Sequence, residues 1–239
     1  MKMISPANDL AVVRGRRAFT LVEMLVVVAI IAVLAGLVVG LAPKAVSSMR
    51  KAKAEGAREA IVTYIQSYKV AKGFYPPGNP NDPTCVQTPL FYELTGMIVT
   101  NQTPTTATFV SITQEGFQQN PPPAPITPNN FGGTSGFLNA SADPGEVKNF
   151  CGKSLKSDQY ALVPATNAPG TGKFTVLGVV VPGPANLELK ATTLSYINPW
   201  HYNPINPTNN PDSYDLWIDV VWGGKTNRIS NWSKDPQPL

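Results

Sequence analysis

The carboxylate of Glu23 stands directly before a long run of apolar residues, where a charge is difficult to accommodate. Residues 24–42 contain no charged side chain and consist of Val, Ile, Leu, Ala, Met and Gly. This length is close to the ~20 residues that a helix needs to cross the hydrocarbon core of a bilayer, so the run predicts one membrane span. A carboxylate at the edge of that core is costly unless it is paired, neutralised or able to reach the headgroups.

Basic residues precede the apolar run and indicate how the span is oriented. The first 18 residues carry four basic side chains and one acidic side chain: Lys2, Arg14, Arg16, Arg17 and Asp9. By the positive-inside rule, the N-terminus is predicted to be cytoplasmic and the rest of the chain periplasmic. Loss of these residues would lower the net charge from +4 to +1, because four of the 19 basic and one of the 15 acidic residues lie there. The remaining chain has no basic stripe, so nucleic acid is not an expected partner.

The segment 19–23 (Phe-Thr-Leu-Val-Glu), with this leader before it and the apolar run after it, resembles the class III signal of type IV pilins and type II secretion pseudopilins. An ordinary secretory signal is cut after its apolar run, whereas here the small residue Ala18 precedes the run. The resemblance implies cleavage by prepilin peptidase between Ala18 and Phe19 and N-methylation of Phe19 by the same enzyme. Ala18 departs from the Gly that the family most often has at this position, but it is also small.

The resemblance also assigns roles in signalling and assembly to Arg16, Arg17 and Glu23. In the filament that it implies, the Glu23 side chain meets the amine of Phe19 on a neighbouring subunit. Each added subunit would then satisfy a charge that membrane burial leaves poorly solvated. The alternative is that Glu23 is a helix-start carboxylate, which the helix dipole favours and which reaches up to the membrane interface.

An apolar stripe continues beyond the predicted span. Ile61, Ile65 and Tyr68, joined by Tyr64, recur at helical spacing among otherwise polar residues, so this segment can pack on a domain. We therefore expect one long helix over residues 19–72, with a membrane half and an amphipathic half. Gly73 and the prolines that follow it predict where the helix ends.

Residues 73–239 differ in character, because they hold nearly all the prolines and show little helical periodicity. A short second helix is predicted at 91–96. Segments rich in β-branched or aromatic residues predict an antiparallel sheet, and they are 106–113, 160–163, 174–181 and 214–222. The sequence thus predicts an α+β protein, and the resemblance implies a pilin-like fold. Its expected parts are a cytoplasmic leader at 1–18 that is removed, the long helix at 19–72 with its span at 24–42, and a periplasmic β-rich domain with long loops at 73–239.

Residues 120–125 read Asn-Pro-Pro-Pro-Ala-Pro and predict an exposed polyproline stretch. Successive prolines lack N–H donors and fix φ, which excludes a central strand or a helix. With residues 129–136 the stretch forms a long irregular insertion. It is either a surface loop of the filament or a contact with a partner.

Segments 73–76, 198–202 and 213–217 are similar to parts of the major pseudopilin of type II secretion, and 223–224 together with 229–232 resemble its final loop. That loop often binds calcium. Here Asp212, Asp215 and Asp219 could contribute, but residues 223–228 carry two cations and no acid. Calcium needs six to eight oxygen ligands, so no metal site is favoured. The alternative is that Asp215 and Asp219 lie on the solvent face of a strand.

The two cysteines of the chain, Cys85 and Cys151, both fall in the predicted periplasmic part. An oxidising compartment permits a disulfide between them, which would stabilise the fold by about 4 kcal/mol in the chain-entropy model. The alternative is two buried thiols. Catalysis has little support, because His201 is the single histidine of the chain. A packed or surface position is expected for it.

These features predict a structural filament subunit rather than an enzyme. The expected partners are prepilin peptidase, further pilin-like subunits, an inner-membrane assembly platform and the membrane itself. The expected location is the inner membrane, as a single-pass protein that can be extracted into a filament. The alternative is a membrane-tethered periplasmic binding protein that uses a pilin-type anchor. Secretion pseudopilus and surface pilus both remain open.

Overall fold

A computed structural model of the chain describes residues 19–102, 107–111, 131, 137–164, 173–192 and 194–239. The predicted leader and the polyproline stretch 120–125 lie outside these residues. The chain divides into two compact units, the first ending at Pro43 and the second running from Lys44 to Leu239. The protein is α+β, with a long N-terminal helix followed by mostly antiparallel sheets, which confirms the predicted fold class and is consistent with a pilin-like fold.

The long helix, α1, spans Leu21–Lys72 and belongs to both units. It ends where predicted, because Gly73 adopts a φ of +88° and its N–H donates to the carbonyl of Lys69 at 2.8 Å. A positive φ at this position is accessible to glycine at little cost, which makes glycine the usual residue after a helix. The helix continues through Pro43, although a proline inside a helix lacks one hydrogen-bond donor.

Within the second unit, one face of α1 is buried in the core. The buried side chains recur every three or four residues, as expected for one face of a helix, and they are Ala54, Ala57, Ile61, Tyr64, Ile65 and Tyr68. The predicted apolar stripe is therefore confirmed. Two arginines attach the same segment to backbone carbonyls: Arg50 donates to Val221 at 3.2 Å, and Arg58 donates to Ser230 at 3.1 Å.

The strands of the described residues all lie in the second unit. They are β1 (Met97–Gln102), β2 (Ala107–Ser111), β3 (Ala140–Ser141), β4 (Tyr160–Pro164), β5 (Lys173–Val179), β6 (Asn198–Pro199), β7 (His201–Asn203), β8 (Asp215–Trp222), β9 (Lys225–Ser230) and β10 (Gln237–Pro238). They form three sheets with the orders β2-β1-β3, β4-β5-β6 and β10-β9-β8-β7. Neighbouring strands are antiparallel except for β1 and β3, which are parallel.

The four predicted strand segments correspond to β2, β4, β5 and β8. The chain after Trp222, which resembled a loop, instead makes a tight hairpin. Gly223 and Gly224 have φ values of +60° and +75°, and Trp222 pairs with Lys225 across the turn. Two successive positive φ angles match the twist of a β-hairpin and favour Gly-Gly. The residues predicted as a loop therefore form β9, which pairs with β8 along its whole length.

The second helix, α2, spans Leu90–Thr95 and is entirely buried. It carries Glu93, a carboxylate with 0% exposure. Its Oε2 accepts hydrogen bonds from the Tyr68 hydroxyl at 2.8 Å and the Asn139 N–H at 2.9 Å, and its Oε1 accepts one from the Leu138 N–H at 2.8 Å. Burial raises the pKa of Glu93 above its usual value. One side chain thus joins α1, α2 and the chain before β3.

The disulfide considered between Cys85 and Cys151 is not formed, and both residues are free thiols. Each cysteine is held by other contacts. The carbonyl of Cys85 accepts a hydrogen bond from the N–H of Tyr202 at 2.7 Å, which keeps the residue beside β7. Cys151 is buried in the core. The two-thiol alternative holds for Cys151, whereas Cys85 is only half-buried.

Candidate functional site

The start of α1 is built around reciprocal hydrogen bonds between Thr20 and Glu23. The backbone N–H of Thr20 donates to Oε2 of Glu23 at 2.8 Å, and the Thr20 hydroxyl donates to the same oxygen at 2.9 Å. In return, the N–H of Glu23 donates to Oγ1 of Thr20 at 3.2 Å. This arrangement is a capping box, in which two residues three positions apart satisfy each other's N–H groups. It fixes the first turn, whose N–H groups have no partner within the helix.

Neither role predicted for Glu23 includes this cap, although the Thr-x-x-Glu spacing before an apolar run is its sequence signal. The cap also bears on the predicted pairing of Glu23 with a neighbouring amine. Within the described residues, only Oε2 accepts hydrogen bonds, and Oε1 has no protein donor. A carboxylate can accept several donors, so the capped Glu23 can still receive one from another molecule.

The apolar side chains around this cap are exposed. Phe19 is 77% exposed, and every Leu, Val, Ile and Met from Leu21 to Leu41 is at least 46% exposed. Such a surface is far larger than the apolar patches of soluble monomers. By length and composition, α1 is one helix that could cross a membrane. Lipid or other apolar helices are the environments that suit this surface.

The structure reports on only part of the predicted processing site. Phe19 and Glu23 lie at the start of α1, four residues apart and next to the exposed apolar segment. Arg16, Arg17 and Ala18 fall outside the described residues, so the cleavage position and the roles of the basic leader remain predictions.

The three aspartates considered for calcium are engaged or dispersed. Asp219 is buried and forms a two-point ion pair with Arg228, with Nε to Oδ1 and Nη2 to Oδ2 both at 2.8 Å. Asp212 is exposed on the surface. Among the residues that the structure describes, no group of three or more His, Cys, Asp or Glu side chains could hold a metal ion.

Asp215 is buried too, and its carboxylate organises the loop between β7 and β8. Its oxygens accept hydrogen bonds from the backbone N–H groups of Thr208, Asn209 and Asn210 at 2.8 to 3.0 Å, and from the side-chain amide of Asn209. Donors therefore occupy the positions that a cation would need. The alternative that Asp215 and Asp219 lie on the solvent face of a strand is wrong, because they are only 3% and 4% exposed.

His201 is packed, as predicted. Its ring stacks on Trp217 with centroids 4.9 Å apart and planes 9° apart, and its Nδ1 lies 2.6 Å from the carbonyl of Thr84. Since a carbonyl only accepts hydrogen bonds, Nδ1 carries the proton. Burial lowers the pKa of His201 below its usual value. The residue fastens β7 to the preceding loop, and no nucleophile is hydrogen-bonded to it among the described residues.

Comparison with known proteins adds one finding at this site. Residues 13–39 match a family described as the prokaryotic N-terminal methylation motif. No curated protein and no solved structure shows a significant match to the chain. The matched residues include the last six residues of the predicted leader, 13–18, together with Phe19, Thr20, Glu23 and most of the exposed apolar segment. This match, at the capped start of a helix that could span a membrane, supports the interpretation of the chain as a type IV pilin-like protein.

Proposed function

We propose that this chain is a structural subunit of a type IV pilus-like or type II secretion pseudopilus filament. The observation that carries the proposal is the methylation motif at residues 13–39, placed at the start of a helix whose apolar side chains are exposed. The leader 1–18 is removed between Ala18 and Phe19, and Phe19 is N-methylated. Before assembly into a filament, the chain is anchored in the inner membrane and its second unit lies in the periplasm.

In this proposal Glu23 has two successive roles. In the membrane-inserted subunit it caps α1 through Thr20, which supplies hydrogen-bond donors to a carboxylate that lies close to lipid. In the filament its remaining oxygen receives the methylated amine of Phe19 from a neighbour. The partners are prepilin peptidase, an inner-membrane assembly platform and other pilin-like subunits. The similarity of segments 198–202 and 213–217 to the major pseudopilin favours the secretion pseudopilus.

Processing provides the direct test of the proposal. Co-expression of the full chain with a prepilin peptidase is expected to yield a protein that starts at Phe19 and carries one added methyl group, which N-terminal mass spectrometry detects. A catalytically inactive peptidase is the matched control and should leave residues 1–18 attached. A chain cut after Ala42, or one left uncut by an active peptidase, would contradict the proposal. A stable monomer that holds a ligand and never enters filaments would favour the tethered binding protein.

A further inference from the structure

A groove on the second unit lies between α1 and the segment that follows β9. Its volume is about 490 Å³, which is within the range of ~300–1,000 Å³ that is usual for ligand sites. Val62 of α1 and Trp232 provide apolar walls, and Arg58, Glu59 and Lys234 lie around them. The groove is therefore an apolar trough with charged side chains along it.

The indole ring of Trp232, which forms one wall of this groove, packs against other aromatic rings of the second unit. The rings of Trp232 and Trp217 are 5.9 Å apart and inclined at 59°. Trp217 in turn stacks on His201, and His201 is hydrogen-bonded to the carbonyl of Thr84. A chain of ring contacts thus connects the groove wall to the interior of the second unit. An aromatic surface held in this way binds a partner with little loss of side-chain entropy.

The groove offers hydrogen-bond donors that have no partner of their own. The indole N–H of Trp232 and the ammonium of Lys234 make no hydrogen bond or ion pair within the described residues. Arg58 already donates to the carbonyls of Ser230 and Ser233 at 3.1 and 3.3 Å. The side chain of Glu59 is 74% exposed and faces Arg58 at 3.7 Å. An occupant that brings carbonyl acceptors and apolar rings would suit this groove better than one that brings N–H donors.

We propose that residues 120–125 of a second copy of this chain occupy the groove. A polyproline segment has a carbonyl at every residue but no N–H at its prolines. Its carbonyls can accept hydrogen bonds from Trp232 and Lys234, and its prolines have no N–H that would be left without an acceptor. Its extended helix forms at low entropic cost, and its rings dock in aromatic-lined grooves. The segment lies between β2 and Phe131, outside the described residues. As a contact between subunits, the inference rests on the proposed filament.

Binding can be measured on single subunits without any filament. The receptor is the full processed chain in detergent micelles with Pro121, Pro122 and Pro123 replaced by alanine, so that its own segment does not compete. The probe is a synthetic peptide of residues 118–127 that carries a fluorescent label, and binding is followed by the anisotropy of the label. We expect a saturable rise in anisotropy. A control peptide with Pro122→Gly and Pro123→Gly should bind more weakly, because glycine loses the preformed extended helix.

Two receptor variants locate the site. Trp232→Ala is expected to weaken binding by about tenfold or more, since buried tryptophans carry much of the energy of an interface. Trp222 is a partly exposed tryptophan outside the groove lining, so the Trp222→Phe receptor should bind the peptide with unchanged affinity. The inference is overturned if no saturation occurs, if the glycine peptide binds equally well, or if Trp232→Ala leaves affinity unchanged. The inference is also overturned if the peptide binds the receptor whose three prolines are replaced by alanine but does not bind the wild-type monomer, because residues 120–125 of the wild-type chain would then occupy the groove of their own subunit.

Filament yield separates this inference from the proposed function. If peptide binding depends on Trp232 but the processed chain never assembles, the groove inference stands and the filament proposal fails. If filaments form normally in Trp232→Ala cells and the peptide does not bind, the filament proposal stands and the groove inference fails.

Discussion

Replacing Glu23 by alanine is expected to separate processing from assembly. The substitution deletes the two hydrogen bonds that Oε2 accepts from Thr20, at 2.8 and 2.9 Å. Loss of an N-terminal cap costs about 0.5–2 kcal/mol and frays only the first turn of a helix. Because α1 has 52 residues, its membrane half should remain helical. Cleavage before Phe19 and membrane insertion should therefore survive.

Assembly should respond much more strongly. Within a filament, the neighbouring amine of Phe19 would be left without its carboxylate, and breaking a buried charge pair costs about 3–5 kcal/mol. A loss of about 3 kcal/mol corresponds to roughly a hundredfold change in an equilibrium constant. The assay compares the cleaved fraction on immunoblots with the yield of sheared filaments. We expect near-normal cleavage and a filament yield lower by more than an order of magnitude.

Thr20→Val is the matched control, because it removes the hydroxyl that takes part in two hydrogen bonds of the cap while it keeps the carboxylate. Thr20→Val loses only the stabilisation that the cap gives to the helix start, so its filament yield should fall much less than that of Glu23→Ala. Equal losses in the two variants would refute the reasoning and reduce Glu23 to a helix cap. Normal assembly of Glu23→Ala would refute the pairing with Phe19 altogether.

Three further predictions concern residues 45–239, which we expect to be a soluble monomer. Millimolar calcium should leave the melting temperature unchanged, because Asp219 is already paired; a rise that Asp219→Ala abolishes would show a calcium site. For Glu93, whose pKa burial raises, the stabilising contribution is complete below the unfolded pKa and is lost as pH rises through the folded pKa. Relative to Glu93→Gln, the wild type should therefore gain unfolding free energy from pH 7 down towards pH 4.5 in denaturant titrations, and an unchanged difference would contradict this. Burial raises the pKa of Cys85 to about 11 and that of Cys151 to about 12, so alkylation of both thiols at pH 7 should be slow until the protein unfolds, and rapid modification of the folded protein would contradict these raised pKa values.

The helix was predictable from the sequence because its signals are local. The apolar stripe from Ile61 to Tyr68 has helical spacing, and Gly73 marks the end of the helix by a conformation that suits glycine. The cap at Thr20 was equally local and could have been predicted from its spacing. The strand β9 could not, because Lys225, Thr226 and Asn227 lack the apolar alternation of a strand and gain their conformation from pairing with β8.

The burial of the aspartates depends on contacts between residues that are separate in the sequence. Asp219 is covered through Arg228 on the neighbouring strand, and Asp215 through the backbone of residues 208–210. Charged side chains are almost never fully buried unless they are paired, so without knowledge of these partners a solvent-facing position was the reasonable expectation. Composition predicted which groups could bind a cation, but only the fold shows that their oxygens are already used by hydrogen-bond donors.

The exposed apolar half of α1 explains why a polar contact would control assembly in the proposed filament. Lipid tails are about as apolar as leucine side chains, so transferring this segment from the bilayer into a bundle of similar helices gains little from the hydrophobic effect. Close packing stabilises such a bundle, but a uniform surface of Val, Leu and Ile specifies its register weakly. Glu23 is the charged residue at the head of this segment. In the proposed filament, the amine of Phe19 on a neighbouring subunit would reach this carboxylate at one axial position only. The Thr20 cap holds the carboxylate at the helix end where that amine would lie.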